Sequence, residues 1–445
     1  MIRASILRAS VVMAWCAVFF MPFTLVAQPW LLARTLDEGL VPEASRVAMV
    51  LDDDLLFIAI SGPDGGTVIA HQKDQGGLDQ WGVVGTLHRD DPWFGGSIAL
   101  HGDRLAVGSP GTDGAGPFTG EVRLYAIDQQ PGQDVLQPLG VIALDDATSN
   151  DRFGYTVHWL GDTLAVSAVG RASARSLGKV FLFTLNGSVA TWTGTIAPPV
   201  QELQVPFIRW FGASMAHAGD RLAIAAPFTG FETSRPRQNI GSLAVYQRDL
   251  SSPSGWSLDT SWADTRVDTA AACSFQRMEL GRWGLAFSGS DLIMDNAAPY
   301  TGSGGSELEP WLFPDLVGAC ATCGLRVVPN TDGHWGLLDS DAIDPGGNGF
   351  LRGALGWALF DDELCVEWYD PLNDAWTTSV HSRDQGGPGA WGVQQSVPAT
   401  HAPCDGLSGP LVLDAAHLVR SIQRRGSNCG VPDGSVRIAV EIFGH

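Results

Sequence analysis

The sequence has few positively charged residues for its length. Its 445 residues include 27 Lys and Arg against 48 Asp and Glu, which gives a formal net charge of −21 at pH 7. Such a chain repels phosphate-rich nucleic acids and anionic membrane surfaces at long range. The composition therefore argues against nucleic-acid and anionic-membrane partners, but it does not by itself identify a partner.

Long apolar runs are missing after the N-terminal segment. That segment has Arg3 and Arg8, an apolar run over residues 11–20 and small residues up to Ala27, an order typical of a signal peptide. We expect residues 1–27 to be a signal peptide and the mature chain to be secreted, periplasmic or on the cell surface, with no membrane span. Retention of the segment as a membrane anchor is the alternative.

The sequence also lacks the common catalytic motifs. It has no His-Glu-x-x-His pair for zinc. Ser97 and Ser214 superficially resemble nucleophilic serines, but each opens a predicted strand rather than a strand-to-helix turn. The carboxylate pair Asp361-Asp362 falls at a predicted hairpin turn, where acidic residues commonly form the turn. These absences favour a non-catalytic protein.

What the sequence does contain is an internal repeat. Its clearest copies begin at Phe94-Gly95, Phe153-Gly154 and Phe211-Gly212, and each continues through an apolar strand, a Gly-Asp turn and a second strand rich in Leu and Ala. A third strand alternates polar and apolar residues, and Trp81 and Trp391 mark a fourth. A repeat of this length predicts one four-stranded propeller blade per copy.

Aligned on the Asp of the Gly-Asp turn, the chain has seven anchor positions: Asp54, Asp103, Asp162, Asp220, Ser290, Asp362 and Ala416. The predicted fold is therefore all-β, a seven-bladed β-propeller of four-stranded antiparallel blades, with residues 28–445 as a single domain. Because the last repeat supplies only three strands, we expect residues 30–36 to pair with residues 436–443. This pairing would close the last blade as three strands plus one and remove an exposed edge.

The repeat resembles the FG-GAP repeats of the integrin alpha-chain propeller and, more closely, plain FG-GAP arrays of exported bacterial proteins. The resemblance covers roughly residues 30–445. It rests on the three Phe-Gly pairs and on Gly108-Ser-Pro110 and Ala225-Ala-Pro227, where the family has Gly-Ala-Pro. It implies a propeller fold and leaves the function open.

Integrin-type repeats carry calcium in acidic loops, so the resemblance also implies a calcium site. The best candidate ligands are Asp339, Asp341 and Asp344, because calcium prefers clustered oxygen ligands. Their spacing departs from the family loop, and a solvated turn is the alternative. No other cofactor is predicted.

Six cysteines remain once Cys16 is removed with residues 1–27, and an even number in an exported protein favours disulfides. The disulfide candidates are Cys404 with Cys429 in the last blade and, in undetermined pairs, Cys273, Cys320, Cys323 and Cys365. A zinc or redox site at Cys320 and Cys323 is the alternative, although no second pair of this kind is present.

Two matching segments join third to fourth strands, from Lys73 to Trp81 and from Arg383 to Trp391. They are similar to the aspartate box of sialidase propellers, but the Trp comes later than in that box. A turn with a packing Trp explains both segments without chemistry. Three histidines, His101, His158 and His217, fall near blade turns, where we expect exposed polar side chains.

The sequence as a whole predicts an exported, non-catalytic binding or adhesion module for a protein or a glycan, and we expect this module to be a monomer. We expect the ligand on long loops such as 228–240 and 300–310, with Trp210 and Arg235 as anchors. A propeller hydrolase acting on glycans and a structural envelope or matrix protein are the alternatives.

Overall fold

The structure is a computed structural model with one chain. It describes residues 30–42, 45–128, 135–170, 177–200, 208–231, 238–239, 241–263, 279–297, 324–328, 330–331, 334–335, 341–342, 357–370, 375–383, 391–397, 405–424, 431–432 and 435–444. Its strands form four-stranded antiparallel sheets. Within the described residues, no helix has the length and apolar character needed to cross a bilayer.

Six sheets, blades 1 to 6, each take four strands from one stretch of chain. Blade 1 contains Arg46–Asp52, Leu55–Gly62, Gly65–Gln72 and Gly82–Arg89. Blade 2 contains Ser97–His101, Arg104–Ser109, Glu121–Ile127 and Leu136–Ile142. Blade 3 contains Phe153–Leu160, Thr163–Ala168, Lys179–Asn186 and Val189–Ile196.

The other three contiguous blades follow the same order. Blade 4 contains Ser214–Ala218, Arg221–Ala226, Ser242–Arg248 and Trp256–Ala263. Blade 5 contains Glu279–Ser288, Asp291–Ala297, Gly324–Val328 and Asp341–Ala342. Blade 6 contains Trp357–Phe360, Glu363–Asp370, Ala375–Arg383 and Trp391–Val397. Two short ribbons pair Gly230–Phe231 with Gln238–Asn239 and Asn330–Thr331 with His334–Trp335.

The remaining four-stranded sheet, the closing sheet, is composite. It contains Asp405–Leu413, His417–Arg424, Ser435–Gly444 and, as its outer strand, the N-terminal strand Leu31–Pro42. The N-terminal strand runs antiparallel to the last strand, with Leu32 opposite Phe443 and Leu36 opposite Val440. The predicted pairing of the two chain ends is confirmed.

In each blade the first strand begins on one face of the ring, and the hairpin turn to the second strand lies on the opposite face. Gly102 in the first turn of blade 2 has φ +56°, a left-handed conformation that glycine adopts without steric cost and that suits a two-residue hairpin. The turns between first and second strands therefore lie on one face, the turn face. The Phe-Gly pairs and the loops between second and third strands lie on the opposite face, the loop face.

The core lies between neighbouring sheets. Second strands are the most buried, and Leu55–Gly62 is buried at every position, whereas the outer strand Gly82–Arg89 has no buried residue. Hydrophobic clusters join each blade to the next, and two further clusters join the closing sheet to blade 6 and to blade 1. The described sheets therefore pack as a ring, as expected for a β-propeller.

The prediction that Cys365 forms a disulfide is wrong. Cys365 is a free thiol, fully buried in the second strand of blade 6, where it lies opposite Val380. It packs with Trp30, Leu418 and Phe443 in an apolar cluster, so burial raises the pKa of its thiol. The other five candidates, Cys273, Cys320, Cys323, Cys404 and Cys429, lie outside the described residues.

Candidate ligand-binding face

The loop face has an unusual residue in front of each Phe-Gly pair. Trp93, Arg152 and Trp210 occupy this position in blades 2, 3 and 4 and have φ of +61°, +54° and +60°. The carbonyl oxygen of each accepts a hydrogen bond from the backbone N–H three residues later, at 2.9 to 3.2 Å. The same left-handed turn is therefore built into three successive blades.

Bulky side chains are costly in this turn. A left-handed conformation costs a residue other than glycine on the order of 1 to 3 kcal/mol, and such strain concentrates at functional sites. Glycine or asparagine would form the turn at lower cost. The presence of Trp93, Arg152 and Trp210 instead indicates that their side chains have a role on this face.

Two of these side chains are tryptophans covered by arginines of the preceding blade. The Arg46 guanidinium lies 5.1 Å from the centre of the Trp93 ring, and that of Arg152 lies 5.4 Å from the centre of the Trp210 ring. Both distances are those of cation–π contacts. Among the described residues, neither arginine pairs with a carboxylate, so both guanidinium groups keep their N–H donors for other partners.

The other arginines at this end of blades 1 and 2 are paired. Arg89 contacts the Asp91 carboxylate, and Arg123 lies 3.5 Å from Asp91 and 2.7 Å from Glu121. Burial raises the pKa of Glu121, and Arg123 opposes that increase while Asp91 adds to it. This network holds two blades together and leaves Arg46 and Arg152 as the distinct feature of the face.

Further aromatic residues lie beside the second of these cation–π pairs, Arg152 with Trp210. Phe118 projects from the loop of blade 2 with 42% of its surface exposed, and its carbonyl oxygen accepts a hydrogen bond of 3.0 Å from the backbone N–H of Arg152. Trp210 meets Tyr155 and Phe228 edge-on, with ring centres 5.3 and 4.8 Å apart. We call Arg46, Trp93, Phe118, Arg152, Trp210 and Phe228 the loop-face track.

The turn face has a different chemistry, in which hydrogen bonds join the closing sheet to blade 1. Asp414 accepts bonds from the backbone N–H groups of Ala416 and His417, and its carboxylate lies 3.3 Å from Nδ1 of His417. Burial raises the pKa of Asp414, but the bonds from His417 and Ala416 outweigh it and leave that pKa lowered. Lys73 Nζ lies 3.1 Å from the other ring nitrogen of His417.

A small cavity of about 210 Å³ opens on the same face between blades 1 and 2. It is lined by Val50, Leu51, Asp52, Leu100, His101 and Gly102. Burial raises the pKa of Asp52, and the charges of Asp53 and Asp414 add to this increase. The cavity has one carboxylate and no arginine in its lining, which makes it a poorer binding surface than the track.

The predicted calcium ligands are not brought together by what the structure describes. Asp341 begins the short strand Asp341–Ala342 at the edge of blade 5, and Asp339 and Asp344 lie outside the described residues. Within the described part of the chain, no three His, Cys, Asp or Glu side chains form a metal-binding group. The calcium site stays a prediction.

The segment from Lys73 to Trp81 forms a structural turn. The Asp74 carboxylate accepts a hydrogen bond of 2.6 Å from the backbone N–H of Asp79. Trp81 is 4% exposed and its ring meets that of His417 edge-on at 5.2 Å. Both the capping carboxylate and the packed Trp match the structural interpretation of this segment.

The three histidines near blade turns differ from each other. The exposed His101 side chain lies 3.4 Å from Asp162 of the next blade, as expected for a polar surface residue. His158 is half-buried rather than exposed, and burial lowers its pKa to about 4, with a smaller contribution from His217. Burial also lowers the pKa of His217.

Of the predicted ligand anchors, Trp210 lies on the loop face within the track. The loop 228–240 is described only at residues 228–231 and 238–239, and both Arg235 and the loop 300–310 lie outside the described residues. Arg46, Trp93, Phe118 and Arg152 were not predicted from the sequence. A signal was available, because the residue before each Phe-Gly pair is Trp, Arg and Trp in three consecutive repeats.

Comparisons with known proteins add little to this description. No protein-family model matches the chain, and no curated protein does. A solved structure described as "Structure of Dos1 propeller" aligns with 91% of this chain and 78% of its own, at 10% sequence identity and a TM-score of 0.43. The blade arrangement of the chain itself identifies it as an all-β propeller with four-stranded antiparallel blades.

Proposed function

We propose that this protein is an exported, non-catalytic binding module that holds a protein or glycan ligand on its loop face. In this proposal the chain is an FG-GAP type propeller whose six contiguous blades and closing sheet form a seven-bladed ring. Residues 1–27 direct its export and it acts as a monomer outside the cytoplasm.

The single observation that supports this function best is the loop-face track. Trp93 and Trp210 occupy strained backbone positions, and arginines without carboxylate partners among the described residues cover both rings. Trp and Arg are the residues that contribute most often to the energetic centres of binding interfaces. The track has strained backbone at both tryptophans and arginine N–H groups that can donate to a ligand. Both features suit a binding surface.

The proposal is tested by capture on the immobilised mature protein. Wild type, Trp210→Ala and Arg152→Gln are each exposed to proteins from the native extracellular medium and to a glycan panel, with Trp192→Ala as the control. Trp192 is 62% exposed on the outer strand of blade 3, away from the track. Equal melting temperatures establish that each variant is folded.

We expect wild type and the Trp192 variant to retain the same ligand, and the two track variants to lose it. Equal retention by all four proteins would show that the ligand binds elsewhere. Retention of no protein and no glycan by folded wild type would contradict a binding role altogether.

A further inference from the structure

We propose that the ligand of the loop-face track is an anionic polysaccharide, whose carboxylate or sulfate groups bind Arg46 and Arg152. This inference rests on the proposed function and specifies the class of its ligand. It follows from three features of the track: the stacked guanidinium groups, their repetition, and the aromatic surface between them.

The stacked guanidinium groups are prepared to bind oxyanions. A guanidinium offers a planar set of N–H donors that matches the two oxygens of a carboxylate or the edge of a sulfate. The contacts with Trp93 and Trp210 restrict the Arg46 and Arg152 side chains, so less conformational freedom is lost when an anion binds. Lysine could not replace them, because its ammonium lacks the planar set of donors.

The same arginine–tryptophan pair occurs twice on this face. Trp93 and Trp210 have the same position in blades 2 and 4, and each is covered by an arginine from the start of the preceding blade. Phe118 lies in the loop of blade 2, the same blade as Trp93, and its carbonyl oxygen accepts a hydrogen bond from the backbone N–H of Arg152 in blade 3. A ligand with charges at regular intervals along a linear chain can reach both arginines at once and gain affinity from both.

The aromatic surface and the net charge of the protein further restrict the chemical class of the ligand. The exposed ring of Phe118 offers an apolar surface to the C–H face of a sugar. The net charge of −21 disfavours polyanions as dense as duplex nucleic acid, which carries about one charge per 1.7 Å. A polysaccharide with about one charge per sugar is less densely charged than duplex nucleic acid. It offers both anionic groups for the arginines and sugar C–H faces for the Phe118 ring.

The test is calorimetric titration with four defined polymers: polygalacturonate, dextran sulfate of low substitution, neutral dextran and polyglutamate. The proteins are wild type, Arg46→Gln, Arg152→Gln and the control Arg104→Gln. Arg104 lies at the turn face beside Asp103, so its replacement removes the same charge from the opposite face. Melting temperatures are measured for all four.

Wild type is expected to bind polygalacturonate or dextran sulfate, and the relative affinity of these two distinguishes carboxylate from sulfate recognition. It is expected to bind neutral dextran and polyglutamate at least tenfold more weakly. Arg46→Gln and Arg152→Gln should each weaken binding about tenfold, the loss expected for one charged hydrogen-bonded pair. Arg104→Gln should stay within about twofold of wild type.

Three results would overturn the inference. Equal loss in Arg104→Gln would show that only net charge matters, and equal binding of polyglutamate would show that the track accepts an acidic polypeptide. Absence of binding to both anionic polysaccharides would exclude the proposed class. If the track variants still lost a ligand in the capture experiment, the proposed function would stand while this inference failed.

Discussion

Lys73 and His417 are 344 residues apart in the sequence, yet Lys73 Nζ lies 3.1 Å from Nε2 of His417. Because the Asp414 carboxylate faces Nδ1 of the same ring, the proton is expected on Nδ1 and Nε2 accepts from the lysine. The Trp81 ring packs against this imidazole. The first and last parts of the chain are thus joined by specific side-chain bonds as well as by strand pairing.

Replacement of Trp30 should open the junction between the closing sheet and blade 6, on the other side of that sheet. Trp30 is 1% exposed and packs with Leu418 and Phe443 between the closing sheet and blade 6. Trp30→Ala should lower the free energy of unfolding by about 3 to 5 kcal/mol, the usual cost of truncating a buried aromatic residue. Urea unfolding measures this loss, and Trp192→Ala, at an exposed tryptophan, should cost less than about 1 kcal/mol. Similar small losses in both variants would contradict closure through Trp30.

The buried guanidinium of Arg420 should be equally important at this junction. Arg420 is fully buried, donates to Glu441 at 2.7 Å and to Thr378 of blade 6 at 2.8 Å, and lies 3.8 Å from Glu367. Arg420→Met would leave buried carboxylates without their cation, and we expect a loss of about 3 to 5 kcal/mol.

The double variant Arg420→Met, Glu441→Met is the matched comparison, because it removes a carboxylate together with its partner. We expect it to be more stable than Arg420→Met in the same urea experiment. A double variant that is less stable than the single variant would show that uncompensated charge is not the cause.

Acid should weaken the fold through His158. Its pKa is about 4 in the folded protein, below the ordinary value of about 6.5, so the unfolded chain binds the proton more tightly. The contribution of His158 is therefore fully present above about pH 6.5 and is lost as the pH falls towards 4, by up to about 3 kcal/mol.

His158→Gln removes this titration, and the measurement is the change in the urea midpoint between pH 7.5 and pH 4.5. We expect a smaller change for His158→Gln than for wild type. His88→Gln, at an exposed histidine, should behave as wild type does. An unchanged pH dependence in the His158 variant would exclude this residue as the source.

Gly120 should tolerate no side chain, for a reason beyond its backbone conformation. It has φ +81°, and a Cβ there would overlap the carbonyl oxygen of Phe153 in the next blade. Gly102 has φ +56° with open space around it. Gly102→Ala should therefore cost about 1 kcal/mol, whereas Gly120→Ala should cost more than about 3 kcal/mol because backbone must move. Equal losses by thermal unfolding would show that only the left-handed conformation matters.

The repeat made most of the fold predictable from the sequence. The Gly-Asp turn and the strands beside it are local patterns, so a turn such as Gly102-Asp103 could be placed without knowledge of the rest of the chain. The closure could also be predicted, because the strand missing from the last repeat is present at the N-terminus. In contrast, the bond between Lys73 and His417 depends on the register of two sheets that meet only when the ring closes.

The loop-face track was only partly predictable. Trp210 is predicted as an anchor because it is a tryptophan near the long loop 228–240. A left-handed φ at Trp93 or Arg152, in contrast, has no local signature when the residue is not glycine or asparagine. The cation–π contacts join residues of neighbouring blades, Arg46 with Trp93 and Arg152 with Trp210. Such contacts depend on how blades pack against each other.

The prediction of a disulfide at Cys365 was wrong for a similar reason. The apolar residues around its thiol come from the closing sheet, and this packing between sheets is not visible in the local sequence.

The most direct test of a ring closed by its N-terminal strand is fragment complementation. The chain of residues 45–445, which lacks that strand, is compared with residues 30–445, and a synthetic peptide of residues 30–42 is then added. We expect the shorter chain to melt at a lower temperature and the peptide to bind saturably and raise that temperature. An unchanged melting temperature in the shorter chain, with no binding of the peptide, would contradict the closed ring.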